Sequence, residues 1–159
     1  MSAVARYRIP DEPRPSAQEG LIVDPLWPLF AQMLVGSWLA LPWFVVNGLA
    51  LGSPTKKREW LLAGASLLGS GLLVWAIVLL WSTPAVRAVD PAYGLLAVTV
   101  LKLGCAYGLY MVQQRPFELW RHYGGRPKNG LLLVIGAMIL VKPAVGTALG
   151  KSLLAVVLG

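Results

Sequence analysis

An all-α membrane protein, four transmembrane helices bundled by short loops, is the fold class that this sequence predicts. Three observations lead there. Of the 159 residues, 57% are hydrophobic and 13% charged, where soluble domains carry roughly 25% charged residues. The apolar residues fall into four blocks, each near the ~20 residues that cross a bilayer. Basic residues gather in alternate loops, as topology signals do. The length fits one domain. The net charge of +7 therefore reads as orientation in a membrane, and no nucleic-acid partner is expected.

Residues 1–22 read as a flexible arm ahead of a membrane domain spanning 23–159. The first twenty hold three arginines, three prolines and three acids and no apolar run of the signal-peptide kind. The first span is expected over 26–51. "VDPLW" at 23–27 opens it: Asp24 can cap the helix and Pro25 sits in the first turn, where no amide bond is lost. Pro42 is expected to kink it near its middle. The second span, 60–81, is bracketed by Trp60 and Trp81, suited to the two interfaces. The third, 92–113, follows "VDPAY" at 89–93, a near copy of the first cap. The copies lie 66 residues apart. They mark either an old hairpin duplication or the same cap chemistry used twice. The fourth runs from 131 to about 151, or to the C-terminus, with a break at Lys142–Pro143. A three-span reading follows if this last segment is re-entrant.

The loops orient the spans. Lys56, Lys57 and Arg58 lie in the first loop; Arg115, Arg121, Arg126 and Lys128 lie in the third. The second carries only Arg87, beside Asp90. The positive-inside rule then places loops 53–59 and 115–129 in the cytoplasm and both termini on the opposite side. Those seven basic residues are candidate contacts for anionic lipid headgroups. Small residues four apart give candidate packing faces: Gly36 and Ala40, Ala65 and Gly69, Gly104 and Gly108, Gly146 and Gly150. They serve packing within the bundle or self-association. Asn47 is the main polar group of the first span and a candidate interhelical hydrogen bond.

No paired carboxylates, Ser/His/Asp set, phosphate loop or zinc spacing is present. The single cysteine, Cys105, reads as a packing residue and the single histidine, His122, as a loop residue. An enzyme is not expected, and neither a cofactor nor a metal. What stands out is charge without an answer. Lys102 and Lys142 both fall near the middle of a span, and no acid lies within any span. A lysine at mid-membrane costs ~3 kcal/mol or more. It has to lose its proton, face water, bond backbone carbonyls, or meet a negative group on a ligand, lipid or partner. Pro143 frees the carbonyl of Ile139, so the Lys142–Pro143 pair reads as a helix break of the kind that lines cavities.

The stretch "GSWLALPWFVVNGLALGSPTKKREW" (36–60), with Gly36, Ala40, Asn47, Leu51 and Gly52, resembles a pattern of small bacterial membrane proteins. The resemblance implies a bacterial inner-membrane setting and no activity. Two functions fit the residues. One is a homo-oligomeric pore or carrier with a basic midplane cavity for anions. The other is an accessory, adaptor or lipid-binding subunit of a larger membrane complex.

Overall fold

The computed structural model describes residues 19–83, 90–150 and 152–159. Most of the arm, Arg87 and Lys151 lie outside them. The described residues are helical, with one isolated β-bridge between Val23 and Lys128. Three helices are long and apolar enough to cross a membrane: α3 (Lys56–Trp81), α4 (Pro91–His122) and Leu131–Leu149. The last comprises α5 (Leu131–Gly136), a π-helical turn (Ala137–Val141) and α6 (Lys142–Leu149). Three such helices are the pattern of a helical membrane protein.

The expected first span, 26–51, is not one helix. It divides into α1 (Leu26–Leu34) and α2 (Ser37–Ala50), with Gly36 between them at φ +124°. Such a φ is open to glycine and nearly closed to other residues. The break therefore falls at Gly36, and Pro42 lies inside α2 without ending it. The two helices fold back on each other. Val23 N–H, just before α1, donates to Asn47 Oδ1 near the end of α2, at 3.0 Å. Ile22, assigned to the arm by sequence, is buried against Ala50, Leu51 and Phe117. The Lys128 N–H donates to Ile22 O. Residues 22–23 thus sit beside loop 51–55 and loop 123–130, at the end that carries the basic residues, and not at the opposite end. At about 13 and 21 Å, neither α1 nor α2 matches a ~30 Å hydrocarbon core.

α3 and α4 pack antiparallel. Gly108 lies against Leu62, Gly69 against Leu101 and Gly94 against Ile77. The buried stripe on α3 is Glu59, Ala63, Ser66, Ser70 and Val74; on α4 it is Val98, Lys102, Ala106, Leu109, Gln113 and Phe117. Spacings of three and four keep each stripe on one face. The hairpin is held on both sides. Ala31, Val35 and Ala40 pack with Val134 and Ala137 of the last span. Leu41 and Phe44 pack with Ala63, Ala106 and Leu109.

Both Asp-Pro starts use the same chemistry, Asp24 Oδ1 accepting from Leu26 N–H and Asp90 Oδ1 from Ala92 N–H. At Lys142–Pro143 the chain does not break. The π turn immediately before the proline widens the helix, which relieves the ring's clash with the preceding turn. Past Gly150, at φ +56°, the chain reverses into α7 (Leu153–Leu158). Val157 of α7 packs with Val74 and Val98, in the halves of α3 and α4 away from the basic end. α7 therefore runs back into the bundle, as far as its middle at Leu158.

Candidate functional site

Two polar assemblies stand apart from the apolar packing. The first is a junction at mid-depth. The tip of the hairpin, Gly36, meets the end of α7. A Cβ added to Gly36 would lie 2.7 Å from Leu158 O and 3.0 Å from the Gly159 carbonyl carbon. The carbonyl end of α7 so faces the N–H end of α2, a head-to-tail arrangement of two helix dipoles. Placed end to end, the two short helices make about 30 Å, one bilayer core.

Both lysines expected at mid-span serve this junction. Lys102, on α4, is buried; its Nζ donates to Val156 O at 3.2 Å and to Gly159 O at 2.5 Å. Lys142 Nζ donates to Leu34 O, in the last turn of α1, at 2.7 Å. The last carbonyls of a helix have no partner within it, and a cation there also meets the negative end of the dipole. Each lysine thus supplies a donor where a short helix ends inside the bundle. No Asp or Glu side chain among the described residues pairs with either one.

The second assembly lies at the basic end and joins the hairpin to the two long helices. Gln113 is fully buried on α4. Its Nε2 donates to Phe44 O at 2.6 Å and to Glu59 Oε2 at 2.8 Å, and its Oε1 accepts from Asn47 Nδ2 at 3.3 Å. Glu59, 3% exposed, also accepts from Thr55 Oγ1 through Oε1. Glu59 sits in the first turn of α3, where the dipole favours a negative charge. Gly48 makes room for it: a Cβ there would lie 1.8 Å from Glu59 Oε2. Sequence reasoning missed Glu59 and Gln113. Glu59 follows three basic residues and reads as part of a solvated turn, and Gln113 reads as the end of a span. The available signal is phase: Glu59 is four residues before Ala63, on the inward face.

No family model, curated protein or solved structure matches this chain. Its function is therefore read from the placement of its residues. Asn47 bridges α2 and α4 through Gln113. Of the small residues, Ala40 is buried, Gly36 is the hairpin tip, and Gly69 and Gly108 lie in the α3–α4 contact. Ala65, Gly104, Gly146 and Gly150 are exposed and face away from the other helices. The α3–α4 face runs one position over, through Ser66 and Ser70. Lys56, Lys57, Arg58, Arg115, Arg121, Arg126 and Lys128 are all exposed, around the end where the hairpin opens.

Grooves flank α2 on both sides. One, of about 510 Å³, lies between α2 and α3 and extends from Trp60 to Ser37 and Leu158. The other, of about 380 Å³, lies between α2 and the start of α5, with Trp38, Leu39, Trp43 and Leu133 along it and Lys128 and Asn129 at its mouth.

Proposed function

We propose that this protein is a non-enzymatic, lipid-binding accessory subunit of a membrane assembly, seated in a bacterial inner membrane with its basic end in the cytoplasm. The observation that carries this reading is the pair of apolar grooves beside α2. A 14-residue helix that enters a bilayer and stops at mid-depth leaves its flanks open. Acyl chains or the helices of a partner are the occupants a membrane provides. The ring of seven exposed basic side chains around the same end adds attraction for anionic headgroups. In this arrangement α1 and α2 form a re-entrant hairpin on the cytoplasmic side, and three helices span.

The junction of short helices favours a second reading, an anion pore or carrier. Discontinuous helices meeting at mid-depth with two lysines beside them are the setting in which transporters place substrates. It supports that reading less well, because both ammonium groups are engaged by main-chain oxygens.

Protein extracted in mild detergent and washed repeatedly is expected to retain stoichiometric phospholipid, or a fixed partner, by native mass spectrometry. A bare 17.1 kDa monomer would count against the subunit reading. In proteoliposomes Lys102→Leu is expected to leave anion flux at background and to raise hydrogen exchange over residues 153–158, which lose their tether. Flux above background that changes selectivity in Lys102→Leu would favour the pore.

A further inference from the structure

We infer that the groove between α2 and the start of α5 is a site for one anionic phospholipid, its headgroup phosphate on Lys128 and one acyl chain along Trp43, Leu39 and Trp38. This rests on the reading that lipid occupies the grooves beside α2, and adds which groove is selective and for what. The two grooves differ in one respect that matters. Lining the α2–α3 groove are apolar and aromatic residues with Ser37 and no cation. The other places a lysine at its mouth above an apolar floor.

Lys128 is not a loose surface charge. Its N–H is bonded to Ile22 O at 3.0 Å and its backbone bridges Val23, so the Cα is fixed at the rim. Its ammonium lies at the groove's edge beside Gly20, 3.8 Å from where a Cβ there would sit. Beside it, Asn129 Oδ1 caps the Leu131 N–H at 2.9 Å, which leaves the amide NH2 as a second donor. Below, Gly130 is buried where Trp27 and Trp43 converge; a Cβ there would lie 2.7 Å from Trp27. From Val46 to Trp38 the groove follows α2 for about 12 Å, most of one leaflet's ~15 Å of hydrocarbon. A phosphate is the complement of a lysine and an amide donor at headgroup depth, and an acyl chain is the complement of what lies beneath. An acidic peptide would satisfy only the first.

Tryptophan quenching tests this on the full chain in vesicles. Brominated-chain phosphatidylglycerol is expected to quench more strongly than brominated-chain phosphatidylcholine at equal mole fraction, and Trp43→Phe to remove most of the difference. Lys128→Gln, which keeps the backbone bond to Ile22, is expected to lower the preference for phosphatidylglycerol about fivefold; Lys56→Gln, outside the groove lining, is expected to lower it distinctly less. Equal quenching by the two lipids, or equal losses in the two variants, overturns the site while leaving lipid binding intact. No quenching at Trp43 by either lipid overturns both.

Discussion

Replacing Gln113 by leucine is expected to cost the fold about 3–5 kcal/mol, the range for stripping a partner from a buried charge. The volume is nearly conserved, so packing is not the cause. Leucine removes the donor to Phe44 O, the donor to Glu59 Oε2 and the acceptor of Asn47 Nδ2 at once. Glu59 then keeps only Thr55, and an unsatisfied buried polar group costs far more than a made hydrogen bond returns. The loss should concentrate on the hairpin, because Asn47 and Phe44 belong to α2 and Gln113 to α4. Denaturation in mixed detergent micelles measures it. Glu59→Leu in the same chain provides the decisive comparison. The double variant has no buried carboxylate to strand, so its cost should fall well short of the sum of the singles. Additive costs would mean that Gln113 and Glu59 do not act together.

Gly36→Ala is expected to destabilise by about 3 kcal/mol, and here even the sign discriminates. At φ +124° an L residue is strained by ~1–3 kcal/mol. The new methyl would also press on Leu158 O at 2.7 Å, an overpacking worth ~1–3 kcal/mol. Were residues 26–51 one spanning helix, the same change would stabilise by up to about 1 kcal/mol, since alanine is the better helix former. Hydrogen exchange should rise on both sides of the tip, at residues 31–36 and 153–158.

Much of the frame was legible in the residues. Composition and block length identify α3, α4 and Leu131–Leu149 as spans, and the two Asp-Pro starts mark α1 and α4. The hairpin was not legible from hydropathy, because a turn at mid-membrane is as apolar as the helices it joins. Gly36 followed by Ser37 is a helix-stop and helix-start pair, but glycine in an apolar run also reads as a packing residue. The lysines were visible and their acceptors were not. Leu34 O is open to Lys142 because α1 stops at the turn, and Val156 O reaches Lys102 because α7 folds back along the bundle. That follows from the turn at Gly36 and the reversal at Gly150, 114 positions apart in the chain. Of the small residues, Gly36, Ala40, Gly69 and Gly108 meet other helices, while Ala65, Gly104, Gly146 and Gly150 face outward; 17 glycines offer several stripes, and only packing selects among them.

The most direct test of the account is the side of the membrane on which the hairpin begins. With Cys105→Ser as background, single cysteines replace Gly20, Pro54 and Arg126, and a membrane-impermeant maleimide is applied to intact cells and to inverted vesicles. All three are expected to label from the same side, that of the inverted vesicles' exterior, because residues 22–23 lie beside loop 51–55 and Lys128. Labelling of position 20 from the face opposite to position 54 would make residues 26–51 a single crossing and contradict the re-entrant hairpin on which the grooves, the junction and the proposed lipid site depend.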